Sequence, residues 1–290
     1  MRRICLVVLA LAAFAAVAPL ATAGILGTAE AFTVLAGSAV TNTGATTITG
    51  DVGVYPGSSI TGSGTISLTG TYHMTDAVAQ QAQIDVTTAY NGLAAMTPGI
   101  NLTGFNLGGL TLTPGVYKFD TSAQLTGTLT LNAQGHNDAF WVFQIGSTLT
   151  TASASAVTII NVGSQGGTND GLFWQVGSSA TLGTSTAFEG NILADQSITL
   201  NTTATIHNGR ALARVGAVTM DTNTLSQFSP FPNNGTMSGG LVFDTNGNVV
   251  PVNPSVNNPS VVVPEPSSFL LIASGLMGLV WSRKRFRSAV

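Results

Sequence analysis

Short runs of alternating apolar and polar residues, broken by glycine, cover most of this 290-residue chain. One phrase recurs along them, an apolar residue followed by threonine. Its copies are Leu110-Thr111, Leu129-Thr130, Leu149-Thr150, Ala180-Thr181, Ile198-Thr199 and Val218-Thr219. Successive threonines lie 19, 20, 31, 18 and 20 positions apart. A repeat of about 20 residues with alternating side chains is typical of one coil of a β-solenoid. The pattern therefore predicts stacked coils.

Hydroxyl side chains also recur three positions after the threonine in four copies, at Ser153, Thr184, Thr202 and Thr222. In stacked coils they would form ladders with a spacing of about 4.8 Å. The longest interval, 31 positions, predicts one coil plus an excursion at about 161–171, where Gly, Ser, Asn and Asp gather.

One segment departs from the β pattern. From Thr75 to Asn91 the chain contains no Gly or Pro, and Ala79, Ala82, Val86, Tyr90 and Leu93 fall on one helical stripe. Thr75 or Asp76 is a suitable N-cap. We predict a single amphipathic helix, about residues 76–94, alongside the solenoid.

Both ends carry targeting signals. Arg2 and Arg3, an apolar stretch and Ala21-Thr22-Ala23 predict a signal peptide, residues 1–23, cleaved after Ala23; a permanent N-terminal anchor is the alternative. At the other end, residues 263–290 contain Pro264-Glu265-Pro266, a short apolar run at 269–281 and a basic cluster. This tail resembles the PEP-CTERM sorting signal of Gram-negative bacteria. The resemblance implies an exosortase as processing partner, a transient inner-membrane anchor and a final location at the cell surface or in the extracellular matrix. A plain tail anchor is the alternative.

Charge excludes one class of function and disfavours another. Only 7% of residues are charged, and between residues 24 and 264 only Lys118, Arg210 and Arg214 are basic, against eleven acids. Nucleic-acid binding needs a cationic surface, so that class is excluded. The acids are scattered, and His73, His136 and His207 lack metal-ligand spacing. We predict no enzyme activity, no metal and no cofactor.

Several phrases together resemble the ice-binding β-solenoid family of bacteria, fungi and algae. They are Thr49-Gly50-Asp51-Val52-Gly53-Val54, Thr113-Pro114-Gly115-Val116-Tyr117, Phe143-Gln144-Ile145-Gly146-Ser147, Gly190-Asn191-Ile192-Leu193-Ala194 and Gly209-Arg210-Ala211-Leu212-Ala213. The resemblance implies an all-β dominated fold over residues 24–228. It would be a discontinuous right-handed β-solenoid of triangular section, with one long helix packed alongside. Residues 229–262, rich in Pro, Asn and Ser, are predicted to be an extended linker.

The resemblance also implies a flat Thr/Ser-rich face that adsorbs to an ice crystal surface and inhibits ice growth or recrystallisation. The family motif resembles Thr-(Ala/Gly)-x-(Thr/Asn). The candidate ice-binding residues are Thr43, Thr46, Thr150, Ser153, Thr181, Thr184, Thr186, Thr199, Thr202, Thr203, Thr205, Thr219 and Thr222. The alternative is a cell-surface or matrix protein that uses the same face for adhesion to extracellular polysaccharide.

Overall fold

The computed structural model describes residues 24–228, 237–257 and 259–262. The predicted signal peptide, the Pro-Glu-Pro motif and the apolar run at 269–281 lie outside the described residues. Within the described ranges, no helix is both long and apolar enough to cross a membrane.

The described chain is mostly β-strand, with one α-helix. The helix α1 spans Ala77–Ala95, and a short 3-10 helix spans Gly27–Ala31. In chain order the strands are β1 (Phe32–Ala36), β2 (Ala39–Thr43), β3 (Thr46–Thr49), β4 (Asp51–Val54), β5 (Ser59–Thr61), β6 (Ile66–Leu68), β7 (Tyr72–Met74), β8 (Ile100–Asn101), β9 (Thr111–Leu112), β10 (Gly115–Phe119), β11 (Ala123–Leu125), β12 (Thr128–Asn132), β13 (Phe140–Ile145), β14 (Leu149–Thr151), β15 (Ala156–Ile160), β16 (Gly171–Val176), β17 (Ala180–Leu182), β18 (Ala187–Ala194), β19 (Ile198–Leu200), β20 (Thr205–Ala213), β21 (Val218–Asp221), β22 (Thr224–Ser226), β23 (Leu241–Phe243), β24 (Val249–Pro251) and β25 (Val261–Val262).

Parallel pairing arranges these strands in three walls. The helix wall runs β7-β4-β1-β20-β18-β16-β13-β10-β8, and the threonine wall runs β11-β14-β17-β19-β21-β2-β5. The third wall runs β6-β3-β22-β20-β18-β15-β12-β9. The long strands β18 and β20 serve both the third wall and the helix wall, and the register of their mutual pairing shifts between Glu189 and Asn191.

The order of coils in space differs from their order in the chain. The first coil stacks on the last one, since β1 pairs with β20, β2 with β21 and β3 with β22. Helix α1 then connects β7, at one end of the helix wall, to β8 at the other. Its 19 residues span about 28 Å, comparable to six strand spacings. Coils that are neighbours in the chain are therefore separated in the stack where the helix intervenes.

The helix wall is buried on both faces. Its inward side carries a stack of rings: Tyr117, Phe143, Trp174 and Phe188 lie with centroids 5.6, 4.0 and 4.9 Å apart. Its outward side packs on α1 through apolar residues such as Val142. Burial on both faces explains why β13 and β16 are continuous hydrophobic runs instead of alternating ones.

Side chains cap both ends of α1. Asp76 Oδ1 accepts a hydrogen bond from Ala79 N (2.8 Å), as predicted for an N-cap. At the other end Gln144 Nε2 donates to the carbonyl oxygens of Leu93 (2.7 Å) and Met96 (2.8 Å). The helix bounds lie within one residue of the prediction.

Part of the predicted linker is folded. Strands β23 and β24 form an antiparallel hairpin whose Leu241 and Val249 are buried against α1. The approach is close, since a Cβ on Gly92 would lie 2.4 Å from Val249 Cγ2. Further on, β25 pairs antiparallel with β9 at the end of the third wall. The linker prediction is wrong for these residues, because a few apolar side chains suffice to fold a Pro/Asn-rich segment onto an existing surface.

Candidate binding face

The threonine wall carries one outward row in which threonine occupies six successive strands. Strand pairing places Gln124 beside Thr150, and then each threonine beside the next one across the wall. The row reads Gln124, Thr150, Thr181, Thr199, Thr219, Thr41 and Thr61. Thr150, Thr219 and Thr61 are exposed, and the other three threonines are half-buried. Strand spacing places successive hydroxyls about 4.8 Å apart.

Small side chains form a second outward row, two positions before the first. Its members are Ser122, Thr148, Ser179, Ser197, Ala217, Ala39 and Ser59. Hydrogen bonds connect neighbours in this row, such as Thr148 Oγ1 to Ser122 Oγ (2.8 Å) and Ser197 N to Ser179 Oγ (3.3 Å). Because alternate residues of a strand are about 6.8 Å apart, the two rows form a regular two-dimensional array of short side chains.

A corner in left-handed conformation borders the array on the side of the third wall. Ala154, Ser185, Thr203 and Thr222 have φ between 56° and 60°. Their backbone N–H groups bond from coil to coil, as from Ser185 N to Thr202 O (3.0 Å). The repeated turn keeps the corners of successive coils in register.

The array itself is uncharged. Asp221 lies at its rim, where it accepts hydrogen bonds from the hydroxyls of Thr202 and Thr222. At the opposite corner Arg214 pairs with Asp195, 2.6 Å between Nη1 and Oδ1. Charges near the wall are therefore paired or hydrogen-bonded at its edges.

The third wall contains the same kinds of residue as the threonine wall, but they follow one another in a different order across the strands. Its first outward row reads Thr128, Ala156, Ala187, Thr205, Thr224, Thr47 and Ser67. In the next row Glu189 stands opposite His207. Burial raises the pKa of Glu189 to about 7, against a smaller lowering by the hydrogen bond from Asn208. Burial lowers the pKa of His207. Two titratable residues thus interrupt this wall.

The structure separates the predicted site residues into four groups. Thr150, Thr181, Thr199 and Thr219 stand together in the threonine row. The rim and corner of the wall hold Thr43, Ser153, Thr184, Thr202, Thr203 and Thr222, and Thr205 belongs to the third wall.

The prediction that Thr46 and Thr186 contact a ligand is wrong, because both side chains are buried, each 1% exposed. Thr46 Oγ1 donates to Asn42 Oδ1 (2.6 Å), and Thr186 Oγ1 bonds Thr151 Oγ1 (2.7 Å). Their hydroxyls satisfy polar groups inside the corner and cannot reach a flat ligand.

Sequence reasoning missed Thr41 and Thr61. Both follow an apolar residue, Val40 or Ile60, and they lie 20 positions apart, so they carry the repeated phrase. They lie before the helix, whereas the six copies of the phrase that define the repeat all follow it. Conversely, Thr111 and Thr130 pair with each other on the third wall and do not belong to the threonine row.

Comparison with known proteins decides the family. Residues 34–226 match the ice-binding-like family. The chain belongs to that family. Residues 262–285 match the PEP-CTERM protein-sorting motif, as predicted.

Relatives match over most of the chain. An ice-binding protein of Nostoc sp. (strain HG1) is 49% identical over 288 residues, which cover 98% of this chain and 96% of that protein. An ice-binding protein of Colwellia sp is 35% identical over 216 residues, covering 69% and 82%.

Solved structures of ice-binding proteins share the β-helical fold. One from an Antarctic biological consortium has a TM-score of 0.65 at 48% identity, covering 70% of this chain and 91% of its own. Another, from the Antarctic ascomycete Antarctomyces psychrotrophicus, has a TM-score of 0.65 at 42% identity, covering 69% and 96%. Among the described residues, no group of three or more His, Asp or Glu side chains could hold a metal ion.

Proposed function

We propose that this protein is exported and adsorbs to ice through the threonine wall, and so inhibits ice growth or recrystallisation. The observation that carries the proposal is the unbroken row from Thr150 to Thr61 on neighbouring strands. The names of the relatives and solved structures support the same ligand.

The chemistry of the row suits an ordered water surface. Each threonine offers a methyl group, which is apolar, and a hydroxyl, which donates and accepts hydrogen bonds. The β-branch restricts χ1, so little side-chain entropy is lost on contact. Ionised side chains would keep their own hydration shells, and the array has none. Many weak contacts then act together over the whole wall.

Export and processing follow from the two ends of the chain. The signal peptide would direct secretion, and the PEP-CTERM tail would bring the protein to an exosortase that removes the transient anchor. We also infer right-handed coils, because parallel crossovers are right-handed in about 98% of cases. Three walls per coil correspond to a triangular section.

The proposal is tested by the growth of fine ice grains held just below the melting point. The wild-type protein should slow recrystallisation at micromolar concentration. The double variant Thr181→Tyr/Thr199→Tyr, in the middle of the row, should lose most of this effect because two rings lift the wall from the surface. Grain growth at the buffer rate with folded wild-type protein would remove the proposal.

Adhesion to polysaccharide gains no support from the relatives described above. Retention of the wild-type protein on extracellular polysaccharide, without any effect on ice, would favour it instead.

A further inference from the structure

Gly24, the residue that follows the predicted cleavage site, has a fixed position. The next two residues anchor it, since Ile25 and Leu26 are 1% and 0% exposed. Its carbonyl oxygen also accepts a hydrogen bond from Gly27 N (3.2 Å), which begins the short 3-10 helix. A new chain terminus at Gly24 would therefore start inside the packed fold.

The carboxylate of Glu30, which two hydrogen bonds hold in place, lies beside Gly24. Glu30 Oε2 accepts hydrogen bonds from Arg210 Nη2 (3.1 Å) and Ser238 Oγ (2.9 Å). Arg210 is 1% exposed and bonds Asn191 Oδ1 through Nη1 (2.8 Å). The other oxygen of Glu30 faces Gly24. A Cβ on Gly24 would lie 2.8 Å from Glu30 Oε1 and 3.4 Å from the carbonyl oxygen of Ser238.

These distances place a nitrogen on Gly24 close to two acceptors. Two atoms bonded to the same Cα are about 2.5 Å apart. The Gly24 nitrogen is then no more than about 5.3 Å from Glu30 Oε1, and rotation at a glycine costs little steric strain. The space exists, because Gly24, Glu30 and Ser238 line one open cavity of about 800 Å³.

The surroundings favour a positive charge. Asp138 and His136 line the same cavity, and Asp85 of α1 lines the adjoining one with Gly24. Arg210 contacts the far oxygen of Glu30. Three carboxylates, those of Glu30, Asp85 and Asp138, thus line the two cavities at Gly24, together with one histidine.

We propose that removal of the signal peptide creates the cation that this corner accepts, the α-ammonium of Gly24. Water is added across the Ala23–Gly24 peptide bond; Ala23 leaves as a carboxylate, and the Gly24 nitrogen becomes an ammonium group. The ammonium binds Glu30 Oε1 and the Ser238 carbonyl oxygen. It thereby joins the new terminus to strand β20 and to the tail segment near Ser238. The inference rests on the proposed export. It means that the fold gains the additional stability of this contact only after the signal peptide is removed.

The test compares chains from Gly24 to Val290 in mild detergent. One begins with Gly24 itself, and the other carries a neutral Gly-Ser-Gly-Ser extension that moves the amine away. The free terminus should raise the melting temperature by about 2–4 °C at pH 6.5. In the matched Glu30→Gln background, which keeps an acceptor for Arg210 and Ser238, this difference should vanish.

A pH series gives a second readout that does not depend on Glu30→Gln folding. A paired ammonium has a raised pKa in the folded state. The advantage of the free terminus should be complete below the unfolded value, about 7.7–8.0, and disappear as the pH rises through the folded value. Equal melting temperatures of the two wild-type chains, or a difference unchanged from pH 6.5 to 10, would overturn the proposal. Ice recrystallisation and N-terminal sequencing of the exported protein report separately on the proposed function.

Discussion

The threonine wall and the third wall are built by the same coils from the same kinds of residue, and they present different surfaces. On the threonine wall, threonine occupies six successive strands of one row. On the third wall, Ala156 and Ala187 break the first row, and Glu189 and His207 break the second. Register, and not threonine content, distinguishes a continuous lattice from an ordinary solvated sheet.

Position within the coil explains the difference. The third wall continues through β18 and β20 into the helix wall, and the register of these two strands shifts just before Asn191 and Arg210. Its residues are thereby committed to internal contacts: Glu189 accepts from Asn208 Nδ2 (3.0 Å), and the Glu189 carbonyl oxygen accepts from Trp174 Nε1 (3.0 Å). The strands of the threonine wall end at corners on both sides, so their outward side chains are free of that demand.

The first prediction tests the difference between the two walls with two residues of one coil. Thr219 on β21 and Thr224 on β22 are both exposed, five positions apart, on the two different walls. Thr219→Tyr should lose at least about tenfold in recrystallisation inhibition, because a ring in the row holds neighbouring threonines off the ice. Thr224→Tyr should stay within about twofold of wild type.

The two variants control for each other, since both add the same ring to an exposed strand position. Surface changes of this kind alter stability by about 0.5 kcal/mol or less. Equal losses in both variants would mean that ice contacts both walls. A loss of inhibition confined to Thr224→Tyr would mean that the third wall is the binding face.

The second prediction separates damage to the fold from damage to the face. Arg210 is buried and contacts both Glu30 and the buried Asn191 Oδ1, so Arg210→Met breaks the ion pair and removes the donor to that amide oxygen. We expect the free energy of unfolding to fall by about 3–5 kcal/mol. Urea denaturation measures this loss. Inhibition per folded molecule should stay unchanged, because Arg210 lies on the helix wall.

Arg214→Met is the matched control for Arg210→Met. Arg214 also pairs with an acid, Asp195, but both partners are partly exposed. The loss of stability should be about 1 kcal/mol or less. Similar losses for the two arginines would contradict the special role of the buried pair.

The fold was predictable from the sequence because its signals are local and repeated. Coil length follows from the spacing of the threonine phrase, and the helix follows from its missing Gly and Pro. The identity of each wall was not predictable. Thr130 and Thr150 are 20 positions apart, like true neighbours, yet they lie on different walls because excursions change the length of individual coils.

The burial of individual threonines was the other feature that the sequence did not predict. Thr46 completes the motif in sequence and Thr186 lies in a degraded copy of it, but both are turned inward at the corner and bond Asn42 and Thr151. The pattern at a corner does not reveal which residue of four faces water. The first coils, with Thr41 and Thr61, were harder still, since their place beside the last coil depends on pairing across about 180 positions.

The third prediction concerns the rim. Thr202 is exposed, but its hydroxyl already donates to Asp221 Oδ2. Thr202→Tyr should therefore reduce inhibition only about two- to threefold, less than Thr219→Tyr. Ser153→Tyr, at the equivalent corner two coils away, is the matched variant and should behave alike. If Thr202→Tyr reduced inhibition as strongly as Thr219→Tyr, the ice-binding face would have to include the corner.

The smallest expected effect is the response of inhibition to pH. The threonine array contains no titratable side chain, so inhibition per folded molecule should be flat from pH 5.5 to 8.5. On the third wall, by contrast, Glu189 with its pKa of about 7 changes from neutral to negative over this range. Inhibition that falls as the pH rises through 7 would therefore point to the third wall.

Stability should change with pH even where inhibition does not. Burial raises the pKa of Glu189 and of Asp170 to about 7, so each binds its proton more tightly in the folded state than in the unfolded one. Their contribution is largest below the unfolded values, about 4, and declines as the pH rises towards 7. The melting temperature should thus decrease from pH 5 to pH 7.5, and Glu189→Gln/Asp170→Asn should remove most of that slope. A flat melting temperature in the wild type would show that neither carboxyl is as desolvated as its burial indicates, and the pH argument against the third wall would lose its basis.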